Sequence, residues 1–323
     1  MQISHQRILV TGAGGFVGRP LCSELRNRGF TVRAAVRASG EFPAEIEVVT
    51  VGAIDGNTNW TSALQGVDVV IHLAARVHVM KDEAADPLAE FLKVNLHGTE
   101  NLAVQAARAG VKRLVYVSSI KVNGEETHEQ RSYTEQDTPA PQDPYGVSKW
   151  QAEQALQLIA QKTGLEVVIV RPPLVYGPGV KGNFISLLAA IDNGIPLPLA
   201  GAKNERSLVY VGNLVSALAA CSIHPAAAGQ TYLVRDGEDV STAQLVRKIA
   251  VALGRNSRLF YLSPGLLHTV ASAVGRSAHI DRLFGSLRVN DAKLRDELGW
   301  APPYMLEQGL RVTADWYIGQ RYG

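Results

Sequence analysis

An α/β fold built on a doubly wound parallel sheet is predicted by three features of the sequence. The stretch Arg7 to Gly29, RILVTGAGGFVGRPLCSELRNRG, reads as strand, glycine turn and helix in that order. Short apolar runs without alternation then recur between helical stretches as far as Arg171, which is the pattern of strands buried on both faces. Beyond Arg171 the texture turns to proline and glycine and then to helix, so a smaller, mostly helical C-terminal lobe is expected. The sheet domain is placed at 1–175 with a return segment at about 207–235, and the second lobe at 176–206 and 236–323.

The first strand is the apolar run Ile8, Leu9 and Val10. Gly12, Gly15 and Gly18 follow at three-residue spacing, and Val17, Leu21 and Leu25 then recur at helical spacing. Gly12 permits a tight turn, Gly15 lets backbone approach phosphate, and Gly18 lets the helix lie close on the sheet. Free N–H groups at a helix start suit a pyrophosphate, so this unit is expected to hold a dinucleotide. Thr31–Val36, Glu47–Val51, Val67–Leu73, Arg113–Ser119 and Glu166–Arg171 are the further strands of the sheet. Helices are expected from about Asp86 to Gly110 and from about Asp143 to Thr163. The polar stretch Asn123–Asp143 is too long for a plain connection, and its place beside the carboxyl ends of the strands favours a wall of the active site. After RPPLVYGPGVKGNF, a helix is expected from about Asn183 to Asn193, followed by an extended IPLPLAG segment. Leu208–Val211 and Thr231–Val234 read as returns to the sheet. Val240–Gly254, Pro264–Gly275 and Leu306–Tyr317 are the clearest later helices.

Composition narrows the function classes. The chain of 323 residues is 46% hydrophobic and 19% charged, which is ordinary for a soluble protein. A formal charge of +2 gives no reason to expect nucleic acid or an anionic membrane as partner. The start, MQISHQRILV, lacks a signal-peptide core, and the apolar runs are too short to span a bilayer, so no membrane insertion is expected. Cys22 and Cys221 both lie in apolar helical contexts, which argues against a disulfide framework and fits a cytoplasmic location. The eight histidines show no zinc spacing with either cysteine, so no metal is expected, and His72 reads as a packed polar residue.

The candidate chemistry lies in Tyr145-Gly-Val-Ser-Lys149, where a spacing of four puts phenol and amine on one helical face. A free tyrosine ionises near about 10, so deprotonating it at neutral pH costs about 4 kcal/mol. An ammonium one turn away favours the phenolate and can also hydrogen-bond a ribose. The preceding strand ends in Ser118-Ser119, and Ser119 is placed to hydrogen-bond a reacting oxygen beside Tyr145.

The ordered motifs TGAGGFVG, HLAAR, VNLHGT, LVYVSSIKVNG, DPYGVSK, RPPLVYGPG, ERSLVYVGNL and LRDELGW resemble the extended short-chain dehydrogenase/reductase family, in its nucleotide-sugar epimerase/dehydratase/reductase branch. The resemblance runs from Arg7 to about Tyr317 and implies a Rossmann-type sheet. It implies Ser119, Tyr145 and Lys149 as the catalytic set. Gly12, Gly15, Phe16, Val17, Gly18, Asp55, Leu73, Ala74, Ala75, Ser118 and Pro172 would line the cofactor together with Tyr145 and Lys149. A UDP-sugar would be gripped by Asn183 and Arg206 at its diphosphate, with Lys121, Leu199 and Arg282 also on the substrate side. Relatives pair the helices around Phe91–Ala107 and Trp150–Ile159 with a second copy as a four-helix bundle, so a homodimer is implied.

Departures from the family pattern narrow the reaction. An NAD-selective enzyme places an acid at the end of the second strand, but TVRAAVRASG has none, and Arg37 stands where a 2′-phosphate would be. Charge favours NADP(H) there, with NAD(H) left open. A 4,6-dehydratase would carry Asp-Glu directly after the position of Ser119; this chain has Ile120-Lys121, so elimination of water is not expected. Two reactions at carbon 4 are left, reduction of a 4-keto sugar and epimerisation of a UDP-hexose, and Arg37 tilts the expectation toward the reductase. The SSIKVNG and RPPLVYGPGVKGNF wording resembles enzymes that reduce a UDP-4-keto-6-deoxy-N-acetylhexosamine for surface polysaccharide synthesis. A non-catalytic nucleotide-sensing protein on the same fold is the rival from another class, and the intact Ser119, Tyr145 and Lys149 count against it.

Overall fold

Successive residues of the first strand face two different apolar layers, which requires cover on both sides. Ile8 and Val10 pack with Leu21, Cys22 and Leu25, whereas Leu9 packs with Leu102, Ala106 and Leu156. The computed structural model describes residues 6–38, 40–77, 86–128, 131–263, 265 and 284–322. Strands β1 (Arg7–Thr11), β2 (Thr31–Val36), β3 (Glu47–Thr50), β4 (Val69–His72), β5 (Arg113–Val117) and β6 (Glu166–Arg171) pair in parallel in the order β3-β2-β1-β4-β5-β6. Strand order reverses between β1 and β4, so the carboxyl ends of these two strands open the crevice where ligands bind in such sheets.

The chain then leaves the sheet. Pro172 and Pro173 separate β6 from β7 (Leu174–Tyr176), which pairs with β8 (Arg206–Tyr210) in a second, three-stranded sheet. The expected return of Leu208–Val211 to the main sheet is therefore corrected: β8 lies between β7 and β10 (Asp239–Val240). The other expected return holds, because β9 (Thr231–Leu233) pairs in parallel with β6 at the sheet edge. Apolar texture alone does not separate the two sheets, since Leu208 and Val209 are as fully buried as Tyr232 and Leu233.

Helix α1 (Gly18–Asn27) seals one face through Leu21 and Leu25, each worth about 2 kcal/mol when fully buried. After a single short turn, α2 (Thr61–Leu64), the expected helix 86–110 is in fact three segments. Asp86 caps α3 (Pro87–Leu92), Lys93–Gly98 widens into a π-helix, and α4 (Thr99–Arg108) continues. The π segment has two local causes for persisting. Gly98 sits against Ile54, where a Cβ would come within 2.8 Å of Ile54 Cγ2, and Asn95 turns inward to bond the backbone of Arg76. Helix α5 (Pro144–Thr163) starts on an Asp143 cap with proline in its first turn and ends at Gly164 with φ +77°. The second lobe carries α6 (Asn183–Asp192), α8 (Thr242–Ala252), α9 (Ala292–Leu298) and α10 (Leu306–Tyr322), whereas α7 (Val211–Ile223) packs back against α1 and the main sheet, its end held by Arg113 of β5. Val240 belongs to β10, and α8 begins only after a capping box between Ser241 and Gln244. The expected helix Pro264–Gly275 falls, apart from residue 265, outside the described residues.

The polar stretch 123–143 is strapped to the C-terminal half. Thr127 N donates to Ser286 O at 2.8 Å, Tyr133 N to Arg288 O at 2.8 Å, and Asn290 N to Tyr133 O at 2.9 Å. On its other side the 284–290 segment bonds β8, through Ser207 N to Leu287 O at 2.8 Å.

Candidate active site

The glycine turn lies at the carboxyl end of β1, directly against the end of β4. Gly12 takes φ +66°, and a Cβ on it would come within 2.9 Å of Ala74 N. Gly15 N donates to Gly12 O at 2.9 Å, closing the turn. A Cβ on Gly18 would lie 2.2 Å from Gly12 O and 2.7 Å from Ala13 Cα, so helix and turn are in backbone contact. Helix α1 has no side-chain cap and no acid in its first turn. Its first N–H groups therefore suit an anion, and the residues present fit the pyrophosphate of a dinucleotide. Phe16 reaches across to the YGPG loop, within 3.5 Å of where a Gly179 Cβ would stand, and Val17 is half-buried beside it. On the floor, Leu73 and Ala75 are half-buried, and Ala74 N donates to Thr11 Oγ1 at 3.2 Å.

The second part of the site is built where β5 ends against α5. Ser119 caps the turn Ile120–Val122, accepting a hydrogen bond from Lys121 N at 3.2 Å. Asp143 Oδ1 accepts from Gly146 N at 2.7 Å and fixes the start of α5. A side chain at Gly146 would come within 2.9 Å of Lys121 O, so helix and turn touch, which brings the Ser119 hydroxyl beside the Tyr145 phenol. Tyr145 meets Phe91 edge-on with centroids 6.0 Å apart. One turn on, Lys149 Nζ donates to Val117 O at 2.8 Å, lies 4.5 Å from the centroid of the Tyr116 ring and 6.0 Å from that of Tyr145.

Burial dominates the electrostatics of this pair. It pulls the Lys149 ammonium down to about 7 against the opposing charge of Glu153. Burial also pushes the Tyr145 phenol up, the Asp143 carboxylate adds to that, and the Ser119 hydrogen bond opposes it. This corrects the expectation from spacing alone: in the folded chain the phenol is harder to ionise than free tyrosine, because desolvation dominates and the Asp143 carboxylate adds to it. As a proton donor it is held in the right state; to act as a base it needs an added positive charge.

The model of the NAD dependent epimerase/dehydratase family matches residues 8–234 of the sequence, which takes in the glycine turn, Ser119, Tyr145 and Lys149. The chain belongs to that family. Among family relatives it is 42% identical to a UDP-glucose 4-epimerase of Vibrio cholerae, over 96% of this chain and 95% of the relative. It is 28% identical to an N-acetyl-alpha-D-glucosaminyl-diphospho-ditrans,octacis-undecaprenol 4-epimerase of Escherichia coli O157:H7, over 96% and 94%. The crystal structure of a Thermus thermophilus UDP-glucose 4-epimerase in complex with NAD superposes with a TM-score of 0.77 at 26% identity, covering 97% of this chain and 99% of that one.

The other residues expected of this family fall as follows. Arg37 is exposed on the first position past β2. Asp55 is half-buried, and its carboxylate accepts from Asn57 N at 2.8 Å. Ser118 donates to Glu153 Oε1 at 2.5 Å, and Pro172 O accepts from Ile120 N at 3.0 Å. Lys121, expected to face substrate, forms ion pairs with Glu125 at 3.0 Å and with Asp143. Asn183 is exposed on the first position of α6, after Gly182 at φ +66°. The Leu199 side chain is buried in the core, and its O accepts from Ala202 N at 3.1 Å. Arg206 opens β8 half-buried, with Nη1 donating to Gly285 O at 2.9 Å. Arg282 lies outside the described residues.

Three buried residues that brace the candidate site carry no motif of their own in the sequence. Asn95, in the π-helix, accepts from Arg76 N at 2.8 Å and donates to Ser148 Oγ at 3.0 Å, tying the floor to α5. Glu153 and Arg171 form a buried ion pair behind Ser118. Only Glu153 left a signal, being four residues past Lys149 as Lys149 is four past Tyr145.

His72 is the packed polar residue that the sequence suggested. It lies fully buried, with Nδ1 2.6 Å from Thr11 Oγ1 and Nε2 2.9 Å from Thr99 Oγ1. Burial, with the Lys149 charge adding, pushes its pKa from 6.5 down to about 3. The unfolded chain therefore takes up this proton first, so His72 contributes stability that is whole above pH 6.5 and is lost as pH falls toward 3. Urea midpoints measured through that window are expected to fall steadily, and His72→Gln to flatten the fall; an equal slope in the variant contradicts this.

Proposed function

We propose that the protein transfers hydride at carbon 4 of a UDP-sugar, with Tyr145 moving the proton on the carbon-4 oxygen. The observation that carries this reading is the convergence of Ser119, Tyr145 and Lys149 at the end of β5, one strand away from the glycine turn. A bound nicotinamide dinucleotide supplies the hydride acceptor or donor and, when oxidised, the positive charge that a buried phenol needs to ionise. The chain's own groups do the rest. Tyr145 exchanges the proton with substrate, Ser119 steadies the same oxygen, and the buried Lys149 offers its N–H groups to the cofactor ribose.

Epimerisation of a UDP-hexose is the leading form of this reaction, supported by the 42% identity to the Vibrio cholerae UDP-glucose 4-epimerase. Elimination of water is disfavoured. Ile120 is buried and Lys121 is paired with carboxylates, so the acid and base that a dehydratase needs beside Ser119 are not there. A second reading, reduction of a UDP-4-keto sugar for polysaccharide synthesis, is favoured by Arg37, because an exposed arginine past β2 suits the extra phosphate of a consumable NADPH. Purified protein with UDP-glucose or UDP-N-acetylglucosamine and catalytic NAD should interconvert the 4-epimers. Oxidation of NADPH by a UDP-4-keto sugar without such interconversion would establish the second reading, and turnover in neither assay would overturn both.

Arg37 carries its own expectation. Arg37→Asp should shift the ratio of NADPH to NADH binding toward NADH by roughly tenfold, the worth of one charge-assisted phosphate contact. Equal ratios in the two proteins would remove Arg37 from cofactor selection.

A further inference from the structure

The most heavily bonded buried charges near the site are absent from the reaction as derived so far. Glu153 is fully buried on α5, one turn beyond Lys149. Its Oε1 accepts from Ser118 Oγ at 2.5 Å and from Arg171 Nε at 3.0 Å, and its Oε2 accepts from Arg171 Nη2 at 2.5 Å. Arg171 Nη1 donates in turn to Asn123 Oδ1 at 3.0 Å, and Asn123 Nδ2 donates to Thr134 O at 2.9 Å. One carboxylate thus ties the residue before Ser119, the helix of Tyr145 and Lys149, and the end of β6. A buried ion pair adds little net stability over apolar residues of the same size, so its presence asks for a reason other than folding.

We infer that Glu153 is a positioning residue for the proposed reaction: its clamped carboxylate stands one helical turn from Lys149 as that amine's counter-charge and holds the strand end that carries Ser119. The geometry gives the carboxylate no freedom to turn away, since Ser118 and the Nε–Nη2 edge of the guanidinium occupy it. The charged and titratable groups facing Lys149 are Tyr145 and Glu153 on its own helix, Tyr116 on β5 and His72 on β4. Of these, Glu153 supplies the negative charge, while His72 is held neutral by its own burial. Without that charge, desolvation alone acts on the ammonium, and the midpoint, already at about 7 with Glu153 in place, falls below neutral pH.

The inference rests on Lys149 serving the proposed reaction, so the test reads Lys149 without substrate. In the full chain labelled with 13C-lysine, one Cε resonance should titrate with a midpoint near 7 and be missing in Lys149→Met. Glu153→Gln should lower that midpoint by about one pH unit, as expected for the loss of one close charge, and Glu153→Asp should restore most of it. In the activity assay the high-pH limb of kcat should move to lower pH by the same interval. Should Glu153→Gln fail to fold because Arg171 is orphaned, the double variant Glu153→Gln/Arg171→Met leaves no buried unpaired charge. Its midpoint should fall as well, by less than in Glu153→Gln alone, because removing the Arg171 charge offsets part of the loss. An unchanged midpoint in a folded variant, or loss of fold in both, returns Glu153 to a purely structural role and overturns the inference. A lowered midpoint without turnover on UDP-sugars would uphold the inference and place the error in the substrate.

Discussion

Tyr145→Phe should lower turnover about a thousandfold while leaving cofactor binding and thermal stability close to those of the parent, the scale expected when a positioned acid–base group is removed. The ring is the part that packs, since its edge meets Phe91, and phenylalanine preserves that contact. The hydroxyl is the part that reacts, with Ser119 as its partner. Stopped-flow or coupled assays of kcat, beside calorimetric titration with NAD, separate the two. Residual turnover within tenfold of the parent would mean that another group carries the proton and would remove the central residue of the proposed function.

Gly18→Ala is the substitution expected to damage the cofactor end most. Its single added carbon would lie 2.2 Å from Gly12 O and 2.7 Å from Ala13 Cα and Ala13 O, all of them backbone atoms that have no rotamer to give. Helix α1 must lift from the turn, at a cost of about 1–3 kcal/mol by comparison with other overpacked sites. The lifted helix no longer presents its N–H groups where a pyrophosphate would rest. NAD affinity should therefore fall at least about tenfold, and the melting temperature should drop with it. Gly14→Ala, two residues past Gly12, provides the matched comparison, because a Cβ there meets nothing within 4 Å. Comparable losses from both variants would show that the turn tolerates no change of any kind and would discard the steric account.

How much of this was legible in the residues varies with the range of the interaction. The glycine turn, β1 and α1 were plain because each residue's role is fixed by neighbours within one turn. The start of α5 was equally plain, since Asp143 and Pro144 are local signals for a helix beginning, and Tyr145 and Lys149 follow at helical spacing. Burial was not legible, and it reverses the sense of the phenol's acidity, because desolvation depends on Phe91 and on β5, far away in sequence. The π-helix at Lys93–Gly98 leaves no mark in apolar periodicity: one extra residue in a long helix shifts the stripe by less than the stripe's own width. The second sheet was misread for a related reason. Strands β7, β8 and β10 are short, and only the pairing of Leu174 with Leu208 and of Ser207 with Asp239 shows that they belong together. Arg171 closes an apolar strand as a surface arginine would, and its partner Glu153 is 18 residues back.

The lacing of Thr127 and Tyr133 to Ser286, Arg288 and Asn290 matters for anyone recombining such chains. A chimera that exchanged the C-terminal half at Arg171 would import a foreign 284–290 ribbon and ask it to zip against a native one at 127–133. Crossover points that respect the lacing carry both ribbons from one parent, even though more than 150 residues separate them along the chain.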